Sequence, residues 1–81
     1  MSAGSAAAAP NIKPAEELCA AQDGLFSFNL EIDTYSCRGT RGWSAHELRL
    51  ARRLCESAYK GSFDASVAGG TLYRCENVPS L

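Results

Sequence analysis

Residues 43–61 read Trp-Ser-Ala-His-Glu-Leu-Arg-Leu-Ala-Arg-Arg-Leu-Cys-Glu-Ser-Ala-Tyr-Lys-Gly, which is the clearest helical pattern in the chain. Ser44 is a favourable N-cap residue, and Glu47 three positions later completes a Ser-x-x-Glu capping box. At the other end, Gly61 is expected in the C′ position, and Lys60 suits the negative end of the helix dipole. These signals predict a helix that begins after Ser44 and ends before Gly61.

This predicted helix has two distinct faces. Its apolar face consists of residues at 3.6-residue spacing: Leu48, Ala51, Cys55, Ala58 and Tyr59, with Leu54 at the edge. Its charged face consists of Arg49, Arg53, Glu56 and Lys60. The apolar face is therefore expected to pack on the core, with a cysteine at its centre.

The cysteines indicate the class of protein. The chain has 81 residues and four widely spaced cysteines, Cys19, Cys37, Cys55 and Cys75. It contains no Cys-x-x-Cys pair and His46 is its only histidine, so a zinc site is disfavoured. A single domain of this length has a small core and usually needs covalent links. We expect two disulfides in a secreted protein, each stabilising the fold by about 2–4 kcal/mol.

The pairing of the cysteines stays open, because four cysteines allow three connectivities. We expect Cys37–Cys75, which would link two strands, and Cys19–Cys55, which would join a short N-terminal helix to the long one. The alternative is Cys37–Cys55.

The first half of the chain predicts a short helix and a strand. A helix is expected within Asn11–Ala21, with Pro14 at its first position. Alternation over Leu25–Ile32 predicts a half-buried strand whose core face carries Phe26, Phe28, Leu30 and Ile32. The phase of the alternation then changes, which predicts a bulge or turn at Asp33-Thr34.

The last third of the chain predicts a β-hairpin. Ser62–Ala68 alternates weakly, Gly69-Gly70 suits a two-residue turn, and residues 71–76 form the returning strand before a tail. The predicted fold class is therefore α+β, with an antiparallel sheet of about three strands, the long helix packed across it through Leu48, Ala51 and Leu54, and the short N-terminal helix. Residues 11–81 would form this domain. No signal peptide is visible in the sequence, and the Ala-rich segment Met1–Pro10 is interpreted as a mature N-terminal segment that follows a removed signal peptide and is expected to be disordered.

The sequence contains no convincing catalytic constellation. His46 is expected to be an exposed residue of the first helical turn, and no phosphate-binding or dinucleotide-binding glycine motif is present, so no cofactor is predicted. Glu31 and Asp33 share a predicted strand face and could stand about 7 Å apart, but an ordinary polar strand face looks the same. Enzymatic activity and a metal site are therefore not predicted.

The charges and aromatic residues suggest a binding surface instead. The net charge is −1, but six basic and two acidic residues lie within residues 38–60, against two basic and seven acidic residues elsewhere. Because Trp, Tyr and Arg dominate binding hot spots, the candidate contacts are Trp43, Arg49, Arg53, Tyr73, Arg38 and Arg41. The alternative is that Trp43 closes the core and the arginines are solvated.

Residues 35–54 carry a family resemblance. Tyr35-Ser36-Cys37-Arg38-Gly39-Thr40, followed by Trp43-Ser44 and the helix, resembles the Tyr-x-Cys, Gly and capped helix of secreted fungal guanyl-specific ribonucleases. It resembles still more closely the ribonuclease-like effectors of plant-pathogenic fungi. The resemblance implies one helix on an antiparallel sheet and a disulfide that Cys37 and Cys75 could reproduce. It carries over no active-site residue, because the family's catalytic His, Glu and Arg have no counterpart after Gly61.

These features give three functional hypotheses. The first is a secreted, non-enzymatic effector that binds a host protein, either outside the host cell or after translocation into it. The second is an inactive ribonuclease-like domain that binds RNA through Arg38, Arg41, Arg49, Arg52 and Arg53. The third is an antimicrobial or toxin-like protein, although a net charge of −1 disfavours direct binding to anionic membranes. The sequence indicates neither the partner nor the oligomeric state.

Overall fold

A computed structural model describes residues 11–65 and 69–79. We name the elements in chain order. They are helix α1 (Lys13–Ala21), strand β1 (Gly24–Asn29), a 3₁₀ turn (Leu30–Ile32), strand β2 (Thr34–Gly39), helix α2 (Ala45–Arg53), the π turn that continues it (Leu54–Ala58), and strands β3 (Ser62–Asp64) and β4 (Leu72–Glu76). The prediction for Met1–Pro10 lies outside the described residues.

The four strands form one antiparallel sheet in the order β1-β2-β4-β3. The predicted α+β class is confirmed, with four strands instead of about three. Directly paired residues share a face of the sheet, and Phe26, Cys37 and Tyr73 stand opposite one another across β1, β2 and β4. This inner face packs against the helices, whereas the outer face carries Ser27, Ser36 and Arg74.

The predicted strand Leu25–Ile32 is too long. Strand β1 ends at Asn29, whose side-chain oxygen accepts a hydrogen bond from the Glu31 amide at 2.9 Å and caps the 3₁₀ turn. Asp33 then reverses the chain in the left-handed region, with φ of 50°. Of the predicted core face only Phe26 is half-buried, because the remaining residues are exposed: Phe28 by 45%, Leu30 by 53% and Ile32 by 61%.

Helix α2 begins as predicted and ends differently. The Ser44 hydroxyl accepts a hydrogen bond from the Glu47 amide at 3.1 Å, and the Glu47 carboxylate accepts one from the Ser44 amide at 2.9 Å, which confirms the capping box. From residue 54 the chain widens into the π turn, where the Tyr59 amide donates to the Leu54 carbonyl at 3.2 Å. This turn contains one more residue than an α-helical turn. Ala51, Cys55 and Tyr59, spaced four residues apart, are therefore buried on one face, whereas Ala58, which was predicted on the apolar face, is exposed.

Lys60, and not Gly61, takes the left-handed position after the helix, with φ of 59°. Gly61 has a different role, because a methyl group there would lie 2.6 Å from Cys75 Sγ and 2.9 Å from the Glu76 carbonyl oxygen. A glycine is therefore needed where the chain leaves α2 and passes close to β4.

The two disulfides are Cys19–Cys37 and Cys55–Cys75. The expected pairs Cys37–Cys75 and Cys19–Cys55, and the alternative Cys37–Cys55, are therefore wrong. Strands β2 and β4 are neighbours as expected, but Cys37 stands opposite Tyr73 and Cys75 opposite Tyr35. The two strand cysteines are thus diagonal neighbours, roughly 7–8 Å apart, beyond the reach of an unstrained disulfide. Each bonds instead to a helix packed on the inner face.

Strands β3 and β4 pair antiparallel as expected, but their connection is not a two-residue turn. The described pairing ends at Asp64 opposite Arg74, and Ala65 already lies outside the strand; the rest of the predicted strand, 66–68, lies outside the described residues. Gly69 and Gly70 instead exchange backbone hydrogen bonds with Trp43, at 3.1 and 2.9 Å. The close approach requires a glycine at Gly42, where a methyl group would overlap the Gly69 backbone, whereas Gly69 itself adopts a positive φ of 97°.

The C-terminal residues are not a simple tail. Asn77 has φ of 57° and turns the chain, so that Val78 is fully buried and its amide donates to the Asp33 carbonyl at 3.0 Å. Val78 packs with Ala15, Tyr35 and Tyr59 around the Cys55–Cys75 bond, whereas the Cys19–Cys37 bond lies in a second cluster with Trp43, Ala51 and Tyr73.

Tryptic mapping without reduction distinguishes the pairings. Trypsin does not cleave before Pro14, so the segment 1–38 contains both Cys19 and Cys37, while Cys55 and Cys75 fall in the separate peptides 54–60 and 75–81. We expect peptide 54–60 linked to 75–81, and segment 1–38 linked to neither. Both other connectivities would join all three peptides in one species, and mass spectrometry separates the two outcomes.

Candidate binding surface

The surface between the two helices forms an open apolar groove. Its volume is about 360 Å³, and it is lined by Pro14 and Leu18 from α1 and by Leu50, Arg53, Leu54, Ser57 and Ala58 from α2 and the π turn. Leu50 points away from the core and is 38% exposed. Exposed large apolar side chains around a concavity are typical of binding surfaces.

The π turn provides one wall of this groove. Leu54, Ser57 and Ala58 belong to it, and Cys55 in the same turn is bonded to Cys75 beneath. The wide turn places Ala58 at the surface, while the disulfide fixes its backbone to β4. Single π turns within helices often occur at functional sites, so the π turn favours this wall of the groove as part of a binding site.

The groove has one basic side chain in its wall. Arg53 lines the groove, and Arg49 lies one turn earlier on the exposed face of α2. No acidic residue is among the described residues that line it. The groove therefore combines an apolar floor with a positive rim.

The six residues predicted as a binding surface do not form one surface. Trp43 and Tyr73 are each only 2% exposed, and their rings pack with centroids 5.2 Å apart, so their prediction as surface contacts is wrong. The core role considered as the alternative for Trp43 is the one observed. Arg38 projects from the outer face of the sheet, in register with Leu72, far from the helical face.

The remaining arginines differ in their surroundings. Arg41 donates to both carboxylate oxygens of Glu47, at 3.2 and 3.0 Å, so the loop before α2 is held by an ion pair. The guanidinium of Arg52 lies 5.5 Å from the centre of the Phe63 ring, on the side of α2 that faces β3. Arg53 is therefore the predicted residue that the structure brings into the lining of the groove, and Arg49 lies one helical turn before it.

The sequence did not identify the apolar half of the groove. Leu50 falls outside the apolar face predicted for α2, and Pro14 was noted only as the first residue of a helix. The signal that could have found the groove is Leu50 itself, an apolar residue on the arginine-bearing side of an amphipathic helix.

The residues considered for catalysis are not brought together. His46 is exposed, as expected. Glu31 lies in the 3₁₀ turn and Asp33 in the reversal that follows, so the two carboxylates do not share a strand face as predicted. Within residues 11–65 and 69–79, no three His, Cys, Asp or Glu side chains are grouped so that they could hold a metal ion.

A buried hydrogen-bonded chain supports the arrangement of the helices. The Tyr73 hydroxyl donates to the Gln22 side-chain oxygen at 2.9 Å, and the Gln22 side-chain nitrogen Nε2 donates to the Glu47 carbonyl at 3.1 Å. Burial raises the pKa of Tyr73 to about 12, so the hydroxyl stays protonated and available as a donor. The end of α1 is thereby linked to β4 and to the first turn of α2.

Replacing Tyr73 with Phe tests this chain. The Gln22 oxygen would remain buried without its donor, so we expect the free energy of unfolding to fall by about 1–3 kcal/mol. Urea titration measures the change. The control is Ser27→Ala, which removes an exposed hydroxyl pair with Ser36 and should cost less than about 0.5 kcal/mol. Equal effects of the two substitutions would contradict a special role for the buried chain.

The ion pair of the capping box predicts an acid-dependent loss of stability. Hydrogen bonds from Arg41 and then from the Ser44 amide lower the pKa of Glu47 from 4.5 to about 2. Because the pKa is lower in the folded chain, this contribution is complete above pH 4.5 and is lost as the pH falls towards 2. Stability should therefore decrease less steeply over this range in Glu47→Gln than in the control Glu56→Gln, as measured by urea titrations. Parallel profiles would contradict this assignment.

Comparison of the chain with protein-family models, curated proteins and solved structures gave no match. The ribonuclease resemblance therefore rests on the short motif alone: the Tyr35–Cys37 strand does lead into the capped helix, but Cys37 does not bond to Cys75 as the resemblance implied. Among the described residues, no helix has the length and apolar character needed to cross a membrane. The chain is a small α+β domain with two disulfides, a combination that fits an oxidising compartment.

Proposed function

We propose that this protein is a secreted binding module that captures an amphipathic helix of a partner protein in the groove between α1 and α2. The observation that carries the proposal is the open groove with Leu18, Leu50 and Leu54 in its lining and Arg53 in its wall. Binding, and not catalysis, is the function that such a surface supports.

The shape and the chemistry of the groove define the partner. Two neighbouring helices offer a third helix a groove into which side chains at positions i, i+3 and i+4 can insert. The volume of about 360 Å³ suits a few apolar anchor side chains. Because Arg53 lines the groove and Arg49 lies one helical turn before it, the partner helix should carry carboxylates next to its anchors.

The distribution of the arginines favours a protein partner over RNA. An RNA strand bound through all five candidate arginines would need them on one surface. Arg38 lies on the outer face of the sheet and Arg41 is paired with Glu47, which leaves a short basic strip on α2. The described residues that line the groove include no aromatic ring on which a base could stack. A toxin acting directly on anionic membranes is disfavoured by the net charge of −1.

The secreted location is proposed from the two disulfides. Both are fully buried and join separate elements, as expected of structural bonds formed in an oxidising environment. In this proposal the partner helix belongs to a protein met outside the producing cell, such as a host protein in the effector hypothesis.

Selection from a displayed library of random peptides of about 16 residues tests the proposal. We expect enriched peptides to have apolar residues at i, i+3 or i+4 and i+7, with Asp or Glu between them. A synthetic peptide of the enriched sequence should bind with a dissociation constant that Leu50→Glu raises by about tenfold or more, because a charge is placed in the apolar lining. Arg53→Glu should raise it as well and should change the selected sequences to basic ones.

The matched control is Arg38→Glu, which makes the same change of charge on the outer face of the sheet. It should leave the peptide affinity unchanged. An equal loss of peptide affinity in Arg53→Glu and Arg38→Glu would contradict the assignment of the groove as the peptide-binding site. Enrichment of basic peptides by the unmodified protein, or tight binding of single-stranded RNA that is lost with Arg53→Glu, would contradict the proposed partner.

A further inference from the structure

The two edges of the sheet differ in how they are protected. Strand β3 at one edge has only three residues, and Asp64 within it forms an ion pair with Arg74. Strand β1 at the other edge has six residues, Gly-Leu-Phe-Ser-Phe-Asn, without a charge or a proline. Natural proteins usually protect edge strands by shortness, charge, proline or a bulge. Strand β1 pairs with β2 through all six residues and has none of these features.

Strand β1 also exposes large apolar side chains. Leu25 is 74% exposed on the outer face, and Phe28 is 45% exposed on the inner face. Phe26 and Phe28 lie next to each other on this inner face, with ring centroids 6.3 Å apart. Among the described residues no strand pairs with the outer edge of β1, and an edge strand with exposed apolar side chains is suited to pairing with another strand.

We propose that β1 pairs antiparallel with β1 of a second copy of this chain, so that two four-stranded sheets join into one of eight strands. A second copy is the occupant because residues 25–29 of both copies are uncharged, so that self-pairing sets no like charges opposite each other within the strand. Antiparallel pairing of identical strands also gives a closed two-fold dimer, in which both copies use the same surface.

The faces of the sheet determine the register of this dimer. The inner faces of both copies must lie on the same side, which requires the two-fold axis to pass through a residue position and not between two. With the axis at Ser27, Phe26 of each copy stands opposite Phe28 of the other. The half-exposed Phe28 ring, which already lies beside Phe26 of its own chain, thereby gains Phe26 of the other copy as a second aromatic neighbour. With the axis at Phe26, Phe28 would face Gly24, which has no side chain. The structure therefore favours the axis at Ser27.

Sedimentation equilibrium of the wild type and of two lysine variants tests the dimer. The chain has a mass of 8.6 kDa, and we expect the wild type to approach twice that mass as its concentration rises. Ser27→Lys places two ammonium groups opposite each other at the axis and should raise the dimer dissociation constant by about tenfold or more.

The matched control is Ser36→Lys. Ser36 stands opposite Ser27 in β2, and their hydroxyls form one hydrogen bond of 3.0 Å, so both variants lose the same bond and add the same charge to the same face. Only Ser27 lies on the edge strand, so Ser36→Lys should dimerise like the wild type. Circular dichroism confirms that both variants remain folded.

An isotope-filtered NOE experiment on a mixture of labelled and unlabelled wild type tests the register. We expect intermolecular contacts between the rings of Phe26 and Phe28. A wild type that stays monomeric up to millimolar concentration would overturn the proposal, as would equal weakening by both lysine variants or intermolecular contacts confined to other residues. None of these variants alters the groove, so the result is independent of the proposed function.

Discussion

Within residues 11–65 and 69–79, each helix is bonded covalently to one of the two central strands, and the rest of the described structure depends on this constraint. Cys19–Cys37 joins α1 to β2, and Cys55–Cys75 joins the π turn of α2 to β4. The bonds close segments of 18 and 20 residues, for which a stabilisation of about 3 kcal/mol each is expected. A domain with so small a core would otherwise be marginal.

The disulfides also explain where the aromatic residues lie. Tyr35 and Tyr59 pack beside the Cys55–Cys75 bond, whereas Trp43 and Tyr73 pack beside the Cys19–Cys37 bond. Each cluster fills the space between a helix and the inner face of the sheet. The sulfurs and the rings therefore form one buried layer. Phe26 is the residue of β1 that packs against this layer, and no other apolar side chain of β1 is needed to fill it. This accounts for the exposure of Phe28, Leu30 and Ile32, which the alternation of the sequence had suggested were buried.

The features that local signals specify were predictable from the sequence. The capping box at Ser44 and Glu47, the short helix whose first turn contains Pro14 and the α+β class all follow from residues close together in the chain, although this helix begins at Lys13, one residue before the predicted first position. The end of β1 was missed because alternation continues through Leu30 and Ile32, while a side-chain cap at Asn29 ends the strand. The disulfide pairing was missed because it depends on a two-residue offset between β2 and β4, and register cannot be derived from one strand alone.

The candidate site shows the same division between local and distant determinants. Arg49 and Arg53 could be predicted as exposed from helical spacing, because spacing alone separates them from the apolar face of α2. The groove beside them could not, since it exists only where α1 is placed next to the π turn. Trp43 was assigned to the surface on its residue type, yet its ring meets Tyr73 from a strand thirty residues later in the chain. Residue type indicates what a side chain can do, and only the packing determines whether a partner can reach it.

The core lies between the helices and one face of the sheet. Two other parts of the surface contain exposed apolar residues that do not pack in this core. The outer side of the helices contains the groove, and the β1 edge contains the uncharged strand. Neither Leu50 nor Leu25 contributes to the buried clusters, so their exposure is not explained by folding. Single exposed apolar residues are common on protein surfaces, whereas Leu50 lines an apolar groove and Leu25 belongs to an uncharged edge strand, and the proposed binding roles depend on these two settings. The fixed attachment of both helices keeps such a surface in one shape, which lowers the entropy cost of binding there.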